Sequence, residues 1–525
     1  MIRIHNVKIA LGKRNDKKIV SQYLNIREKN ILDVKLVKQS IDARRERVFW
    51  ICSFDVSLRN EEDFLKKHPQ YEKVAPYHYQ FLQKNNRKVL IVGSGPAGLF
   101  CAYVLSRVGQ KVVLIERGQP VEQRLSDIRD LLEKGFLNEQ SNIAFGEGGA
   151  GTFSDGKLTT GIKNKRLRFV LETFVKYGAP EDILYLSMPH IGTDYLRKVI
   201  VNMRKDMENS GVQFLFDTQM IDFDYHDVYT VQVQSHGERK TLYADDLVLA
   251  IGHSARDTYE MLYKKGVPLA QKPFAIGVRI EQLQEQINLL QYKKSYQSPY
   301  LKAANYKLAV QTNDKRGVYT FCMCPGGYVV PSMTEKGTLC INGMSYYQRD
   351  GQNANSAILV NVKTTDFSDE HPLSGMYFQR LLEQKAYQLA GGHYLAPVQK
   401  VKDYFSKQVT QSLGKVQPTY QPGYVFIDMN DVFPDFINCN LKEGLLLMNQ
   451  KMPGFIDDDT LITGIETRSS APVRILRNSD YQSDFASHLY PIGEGAGYAG
   501  GIMSSAVDGI MCAEMILKED CHGSN

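Results

Sequence analysis

The sequence predicts an α/β protein: a discontinuous parallel-sheet domain that carries an inserted mixed or antiparallel α+β domain and follows a small N-terminal α+β domain. Three observations support this fold class. Two short apolar runs, 88–92 and 111–115, flank a glycine turn and an amphipathic segment, which is the order of a strand–helix–strand unit. Several β-like runs follow one another between 274 and 362. The first 85 residues contain short strand-like runs and end in a polar stretch.

Composition narrows the class of protein. Of the 525 residues, 43% are hydrophobic and 23% are charged, which is typical of a globular chain and excludes collagen-like, coiled-coil and disordered proteins. No apolar run approaches the roughly 20 residues of a membrane span, and the N-terminus lacks a signal-peptide core. The eight cysteines are too sparse for a disulfide scaffold and show no zinc pattern. We therefore expect a cytoplasmic protein without a metal site and without a membrane partner.

Residues 1–85 are predicted to form a small basic α+β domain. Residues 1–88 contain 20 lysines and arginines but only 10 acidic residues. An excess of positive charge of this size is suited to binding RNA, an acidic protein or an anionic surface. It is equally typical of a basic appendage whose charges are only solvated. We favour the appendage and keep nucleic acid as an alternative partner.

The first motif with chemical meaning lies between the two apolar runs. Gly93 permits a tight turn, Gly95 lets the backbone approach a pyrophosphate, and Gly98 lets the following helix pack on the strand. Glu116 ends the second run, where a carboxylate can accept hydrogen bonds from ribose hydroxyls. The spacing predicts a Rossmann-like domain that binds FAD or NAD(P). The loop residues assigned to the cofactor are Gly93, Gly95, Pro96, Ala97 and Gly98.

Later segments favour FAD over a nicotinamide cofactor. Glu116 and Arg117 precede a glycine, and this triplet resembles the signature of glutathione-reductase-type FAD proteins. Residues 220–243 alternate as a β-meander, and residues 245–252 then resemble the strand that closes the sheet near the cofactor in those proteins. The resemblance places the Met220 backbone at the adenine and Gly252 beside the cofactor.

A glycine-rich segment near the C-terminus is the third cofactor signal. Residues 489–502 predict a strand and a glycine loop that lead into a helix. In FAD folds this arrangement holds the ribityl chain, where Glu494 stands at a position that is often Asp. The N–H groups of Gly501 and Ile502 at the helix start are candidates for contact with the flavin. The alternative is a plain glycine loop that caps a helix.

The glycine-rich stretch 145–158 is the most distinctive motif. Together with the motifs at 321–330, 464–475 and 489–502, it resembles the uncharacterised bacterial FAD-dependent dehydrogenase family, from about residue 88 to 520. The resemblance implies a flavoprotein oxidoreductase but supplies no substrate. It places part of the stretch against the isoalloxazine, and the residues assigned there are Gly149, Ala150, Gly151, Thr152, Ser154 and Asp155.

These motifs divide the chain into three predicted domains. The leader domain is 1–85. The FAD-binding domain comprises 86–160, 200–265 and 445–525, and the substrate-binding domain comprises 161–199 and 266–444. Only one dinucleotide fingerprint is visible, so we expect any NAD(P)H to bind transiently in the substrate cleft.

Four side chains are candidates for the chemistry. Cys322 and Cys324 are two apart in a predicted strand, so both thiols are expected to face one cavity. Their alternatives are structural packing and a redox pair. Arg468 offers a fork for an anionic substrate, as do Arg279 and Arg474, with a structural salt bridge as its alternative. Lys157 is expected to orient flavin or substrate.

The sequence thus predicts an FAD-dependent oxidoreductase. It would transfer hydride or electrons between a donor, with NAD(P)H as candidate, and an unidentified small molecule through noncovalent FAD. The alternatives are an FAD-dependent monooxygenase, an RNA-associated flavoprotein docked through residues 1–85, and a protein whose flavin is only structural.

Overall fold

The computed structural model describes residues 1–153, 156–367 and 369–518. Its helices are α1 (Asp16–Leu24), α2 (Glu61–Lys67), α3 (Pro96–Arg107), α4 (Val121–Lys134), α5 (Arg166–Lys176), α6 (Gly192–Asn209), α7 (Arg256–Lys264), α8 (Gln284–Tyr292), α9 (Ser374–Leu389), α10 (Val401–Ser406), α11 (Asp435–Lys451) and α12 (Ile502–Lys518). Its strands are β1 (Ile2–Ala10), β2 (Ile31–Asp42), β3 (Phe49–Leu58), β4 (Glu72–Lys73), β5 (Lys88–Val92), β6 (Lys111–Ile115), β7 (Gln213–Leu215), β8 (Thr218–Tyr225), β9 (Tyr229–Ser235), β10 (Glu238–Ala244), β11 (Asp246–Leu249), β12 (Leu269–Gln271), β13 (Phe274–Leu283), β14 (Ala309–Gln311), β15 (Gly317–Cys324), β16 (Tyr328–Pro331), β17 (Ile341–Met344), β18 (Asn353–Val362), β19 (Ala396–Lys400), β20 (Tyr424–Phe426), β21 (Leu461–Glu466), β22 (Val473–Ile475) and β23 (Leu489–Pro491).

A five-stranded parallel sheet in the order β23-β11-β5-β6-β7 forms one part of the molecule. Its central strands are short apolar runs because both of their faces are covered. Helix α3 is buried from Ala97 to Ser106, since α12 packs across it. The crossing is close: a Cβ at Gly509 of α12 would lie 2.0 Å from the Ala97 carbonyl oxygen. The prediction of a mixed α/β chain with a strand–helix–strand unit at 88–115 is confirmed.

Strands β8, β9 and β10 form a separate antiparallel sheet directly after β7. This is the meander predicted from the alternation of residues 220–243. Its buried side chains pack on the parallel sheet together with those of α7, so the meander covers one side of that sheet.

The largest sheet has seven strands in the order β14-β15-β18-β13-β21-β19-β20. Its pairs are antiparallel except for the parallel pair of β19 and β20. Helix α11 packs on β14, β15 and β18, and helix α9 contacts β21. The β-like runs predicted between 274 and 362 all correspond to observed strands.

Two segments belong to different layers from those the sequence suggested. Strand β21 pairs with β13, so residues 461–466 lie in the seven-stranded sheet rather than in the parallel one. Helices α5 and α6 share the core of α3 and α12, so much of 161–199 packs on the parallel-sheet side. The apolar faces of α5 and α6 pack against α3 and α12, because these two helices are apolar on nearly all sides.

The N-terminal residues form a four-stranded antiparallel sheet in the order β2-β3-β1-β4, with α1 packed on one face. Two backbone hydrogen bonds join β2 to the segment before α6. The Gln39 N–H donates to the Tyr185 carbonyl at 2.7 Å, and the Ser187 N–H donates to the Gln39 carbonyl at 2.9 Å. Trp50 of β3 also meets Tyr300 edge to face, at 6.1 Å between ring centroids.

In the described parts of the chain, no helix is long and apolar enough to cross a bilayer.

Candidate functional site

A cavity of about 600 Å³ opens where the parallel sheet meets the seven-stranded sheet. The parallel-sheet side contributes the loop after β5, the end of β6, the loop after β11 and the glycine loop before α12. The seven-stranded sheet contributes residues of β15 and the end of β21. The carboxyl ends of parallel strands are where α/β proteins bind nucleotides, so this is the candidate site.

The three glycines of the loop after β5 each have a different structural role. Gly93 has a φ of 104°, and a Cβ there would lie 2.3 Å from the Ala250 carbonyl oxygen. A Cβ at Gly98 would lie 2.0 Å from the Gly93 carbonyl oxygen, so that glycine serves the packing of α3 on β5. At Gly95, by contrast, no atom lies within 4 Å of the place a Cβ would take, and the residue lines the cavity. Gly95 therefore keeps open a space that the protein itself does not fill.

Three other glycines also leave open space in the cavity wall. Gly252, Gly500 and Gly501 all line the cavity, and a Cβ added to any of them would meet no atom within 4 Å. The N-terminal turns of α3 and α12 also face it, and such turns offer unbonded backbone N–H groups. These features fit FAD: α3 would hold the phosphates, and α12 would hold the flavin end. The predicted cofactor residues that line the cavity are Gly93, Gly95, Pro96, Ala97, Glu116, Arg117, Gly149, Ala150, Gly151, Met220, Gly252, Glu494, Gly501 and Ile502.

Glu116 organises the loops around this end of the cavity. One carboxylate oxygen accepts hydrogen bonds from the N–H and hydroxyl of Ser94, at 2.9 and 2.8 Å. The other accepts from the N–H groups of Gly118 and Gly146, at 2.9 and 3.0 Å. The side chain thus joins three loops, and its proposed contact with a ribose stays a prediction.

Arg117 lies beside Glu116 and is fixed by its own partners. Its guanidinium donates two hydrogen bonds of 2.8 Å to Asp257 and lies 4.2 Å from the centre of the Phe145 ring. These contacts fix the Arg117 side chain in one position at the cavity wall.

The stretch 145–153 approaches the start of α12. A Cβ at Gly151 would lie 2.9 Å from the Ile502 side chain, so a larger residue would push these segments apart. The sequence predicts Thr152 at the cofactor, but it is fully buried and donates to the Glu147 carbonyl at 3.3 Å, away from the cavity. It faces inward because the short 3₁₀ turn at 150–152 rotates its side chain under Gly148. Ser154 and Asp155 lie outside the described residues.

Glu494 lines the cavity from the loop before α12. Burial raises the pKa of its carboxyl to about 7, while a backbone hydrogen bond with Gly501 and the charge of Lys272 act in the opposite direction. The side chain can therefore hold or release a proton near neutral pH. Its predicted contact with a ribityl chain is untested.

The two cysteines of β15 do not share a cavity, so that expectation is wrong. The register of β15 against β18 shifts between Phe321 and Cys324, and Cys322 has a φ of 42°. This bulge breaks the alternation on which the expectation depended. Cys322 lines the cavity, whereas Cys324 is fully buried and its thiol lies 3.1 Å from the Cys322 carbonyl oxygen.

Arg279 holds the bulge from behind. It is fully buried, donates to the Cys322 carbonyl and to Asn355, and forms an ion pair with Glu466. Glu466 itself lines the cavity, and burial raises the pKa of its carboxyl although Arg279 and Lys157 oppose the shift. Arg279 is therefore a positioning residue rather than a substrate-binding fork.

Arg468 lines the cavity, but most of its donors are engaged. Its Nε and Nη2 donate to Glu383 at 3.0 and 2.7 Å, and Nη1 donates to Thr334 at 2.7 Å. Arg256 donates hydrogen bonds of 2.9 and 2.8 Å to the two oxygens of the same carboxylate. Although burial opposes ionisation, the two arginines lower the pKa of Glu383 to about 2. Arg468 thus belongs to a buried ion-pair network, the alternative raised for it from sequence.

Lys157, the fourth side chain proposed for the chemistry, and His253 both belong to the cavity wall. Lys157 lines the cavity, and its backbone forms a β-bridge with His190. His253 also lines it, and burial together with the charges of Arg468 and Arg256 lowers the pKa of that imidazole to about 4. His253 is therefore neutral at physiological pH.

Sequence reasoning missed several residues of the substrate side. Asn305, Lys307 and Arg349 come from loops and Asn342 comes from β17, and only the fold brings these segments together, whereas Glu466 stands two residues before Arg468. The missed residues that line the cavity are Asn305, Lys307, Asn342, Arg349 and Glu466.

Family models match three parts of the chain. Residues 86–125 match an FAD binding domain, residues 273–469 match the C-terminal domain-like part of FAD-dependent proteins, and residues 1–57 match a domain of unknown function. The first two matches correspond to the two sides of the cavity.

Similar proteins include one full-length relative. A Clostridium beijerinckii protein described as uncharacterised is 43% identical over 530 residues, covering 99% of both chains. An L-amino acid oxidase of Cerastes cerastes is 33% identical over 87 residues, which is 17% of each chain.

Among solved structures, the flavin-dependent halogenase CmlS has a TM-score of 0.38 at 12% identity, over 84% of this chain and 59% of that one. An aklavinone-11 hydroxylase with FAD has a TM-score of 0.36 at 12% identity, over 85% and 64%. Likenesses of that size carry no functional conclusion. The full-length relative shows that the chain belongs to the same family as the Clostridium beijerinckii protein, and the two FAD-related domain matches identify it as an FAD-dependent protein.

Proposed function

We propose that the protein transfers hydride or electrons between NAD(P)H and a small-molecule substrate through a noncovalently held FAD. The observation that carries this proposal is the shared cavity. The loops that fit the cofactor and the residues of β15 and β21 line one continuous space, so a substrate on the seven-stranded sheet would lie against the cofactor. FAD supplies the electron chemistry, and the protein supplies binding, orientation and electrostatics.

The substrate side is built to hold groups in fixed positions. Cys322 is held by Arg279 behind it, and Glu466 is held by the same guanidinium. Burial raises the pKa of the Glu494 carboxyl to about 7, so this side chain can hold a proton at the cavity wall near neutral pH. The neutral His253 adds a donor or acceptor without charge.

The proposed use of NAD(P)H depends on a single nucleotide-binding unit. In the residues that the structure describes, one parallel sheet carries the glycine loop and the two helix N-termini that suit a dinucleotide. FAD would fill that unit, so the nicotinamide donor would enter the substrate half of the cavity, react and leave before the second substrate binds.

An anaerobic absorbance spectrum tests the proposal. We expect purified protein to show flavin bands that bleach on addition of NADH or NADPH and recover when an acceptor is supplied. Persistent bands with both nucleotides would refute the nicotinamide donor, and failure to bind FAD at all would refute the proposal as a whole. A hydroxylated product formed only in air would instead identify a monooxygenase.

A further inference from the structure

We propose that His253 is a ligand-binding residue, whose imidazole Nε2 forms a hydrogen bond with an uncharged carbonyl or carboxamide group of the molecule that binds beside the cofactor. This inference rests on the proposed function and names the chemical group that the cavity recognises.

His253 lies in a segment that is held between the two loops that fit the cofactor. The segment follows β11, and β11 is flanked by β5 and β23 in the parallel sheet. A Cβ at Gly93 would lie 2.3 Å from the Ala250 carbonyl oxygen, and a Cβ at Gly495 would lie 2.6 Å from the Gly252 nitrogen. The loops that precede α3 and α12 therefore pack on this segment from both sides, and His253 lines the cavity between them.

The same residue adjoins the side of the cavity that the seven-stranded sheet forms. Arg468 follows β21 by two residues and lines the cavity, and its charge acts on the His253 imidazole. Arg256 of α7 and Glu383 of α9 also act on it. His253 thus lies where the cofactor side and the substrate side meet, and a ligand bound against it would lie beside the cofactor.

One nitrogen of the imidazole is held by the protein, and the other is open. Nδ1 lies 2.8 Å from the hydroxyl oxygen of the buried Ser254. In the described part of the chain the ring makes no other hydrogen bond, and Nε2 is not enclosed by protein atoms. Gly252 leaves open space next to the ring, since a Cβ there would meet no atom within 4 Å. Nε2 is therefore the nitrogen that a ligand can reach.

The surroundings keep the ring uncharged. Burial and the charges of Arg468 and Arg256 lower the pKa of the imidazole to about 4, and Glu383 opposes this shift only in part. Glu383 forms ion pairs with both arginines, which fixes the two guanidinium groups near the ring.

A neutral imidazole selects a particular kind of partner. It has one N–H and one lone pair, so it can donate or accept a hydrogen bond without adding charge. Because the protonated form is scarce at pH 7, the ring is poorly suited to proton transfer. It can instead orient and polarise a carbonyl group, as neutral histidines do in other active sites. An uncharged carbonyl or carboxamide therefore fits Nε2 better than a carboxylate does.

A group of this kind can come from two sources. One is the carboxamide of NAD(P)H, the donor in the proposed function. The other is a ketone, quinone or amide group of the second substrate. Both would meet the same ring nitrogen.

NMR spectroscopy of the FAD-loaded protein, labelled with ¹⁵N in its histidine rings, tests the proposal. The probes are nicotinamide and 3-acetylpyridine, and nicotinate is the anionic match. The resonances that disappear in His253→Gln are those of His253. We expect the ring to be neutral at pH 7, and both uncharged probes to shift its Nε2 resonance. Nicotinate at the same concentration should shift it much less.

Variants measure what the contact contributes to binding, with saturation-transfer NMR on the resonances of the probe. His253→Ala should raise the dissociation constant of nicotinamide roughly three- to tenfold, the range for one hydrogen bond. His253→Gln retains an amide of similar reach and should restore most of the affinity. His226→Ala, which changes an exposed residue in the turn between β8 and β9, is the control and should leave binding unchanged.

The proposal is overturned if neither uncharged probe shifts the His253 resonance, if nicotinate shifts it as much, if the ring is protonated at pH 7, or if His253→Ala binds nicotinamide like the parent protein. Flavin absorbance recorded on each sample separates these outcomes from failure of the proposed function, which would appear as missing FAD or as a flavin that NAD(P)H does not reduce.

Anaerobic flavin reduction at several concentrations of NAD(P)H distinguishes the two sources. A dissociation constant for NAD(P)H that rises in His253→Ala by the same factor as that for nicotinamide assigns the contact to the carboxamide of the donor. Reduction that is unchanged at every nucleotide concentration assigns the contact to the second substrate.

Discussion

Arg279 donates a hydrogen bond to the Cys322 carbonyl and so holds Cys322 at a φ of 42° in the cavity wall. A positive φ is uncommon for a residue with a Cβ and usually persists only where surrounding contacts impose it. Here the contact comes from a guanidinium that is itself fixed by Glu466. The position of one candidate thiol therefore depends on a buried ion pair.

Replacing Glu466 tests this dependence. Glu466→Gln leaves the Arg279 charge buried without its carboxylate, and we expect a loss of about 3–5 kcal/mol in the free energy of unfolding. In a background with Cys439→Ser and Cys521→Ser, which removes the exposed Cys439 thiol and the thiol near the C-terminus, labelling of Cys322 by a thiol reagent should become faster. Glu285→Gln on α8 is the exposed control and should leave urea unfolding and labelling unchanged. Equal labelling rates in both variants would show that the ion pair does not position Cys322.

Two glycines of the same loop should respond differently to alanine. Gly95→Ala adds a Cβ to open space, so we expect wild-type unfolding of the apoprotein but FAD affinity at least tenfold lower. Gly98→Ala places a Cβ 2.0 Å from the Gly93 carbonyl oxygen and should lower stability as well as FAD binding. Unfolding and flavin titrations distinguish the two effects. Full FAD affinity in Gly95→Ala would mean that the cofactor does not approach this loop.

The order of the elements could be predicted because the strands carry a local signal. Strands β5 and β6 are covered on both faces and therefore appear as continuous apolar runs, and Gly93 and Gly98 mark the turn between strand and helix. Most of the predicted cofactor residues follow from these loops, because the carboxyl ends of neighbouring parallel strands converge.

The substrate side could not be predicted, because its geometry depends on distant contacts. The sequence around Cys322 alternates like any strand, and the bulge arises from Arg279 and the register with β18. The sequence around Arg468 looks the same whether this residue binds a substrate or Glu383. Helix α9, which carries Glu383, is far from Arg468 in the sequence. Arg349 reaches the cavity only because its loop packs on Gly326.

The raised pKa of Glu494 predicts a pH dependence of stability. The folded-state pKa of about 7 lies above the ordinary 4.5, so the folded protein holds this proton more tightly than the unfolded chain does. The free energy of unfolding should therefore fall by about 3 kcal/mol as pH rises from 4.5 to 7, and stay lower above pH 7.

Glu494→Gln removes the titrating group and should abolish that part of the slope. Thermal unfolding of the apoprotein between pH 5 and 8 measures it, and the variant should be the more stable protein at pH 8. The exposed Glu62→Gln is the matched control and should keep the parental slope. A parental slope in Glu494→Gln would contradict the assignment.

The N-terminal domain is expected to support the cavity through one short backbone connection. Its strand β2 binds residues 185–187 by the Gln39 hydrogen bonds, and Met188 and Pro189, which follow directly, line the cavity. Ser187→Pro removes the N–H that donates to the Gln39 carbonyl. We expect faster hydrogen exchange at 185–190, with exchange in β1 and β3 unchanged because that sheet keeps its own pairing. Unchanged exchange would leave the basic N-terminal domain as an independent module, and salt-sensitive retention of RNA by the full-length protein would then identify it as a docking domain.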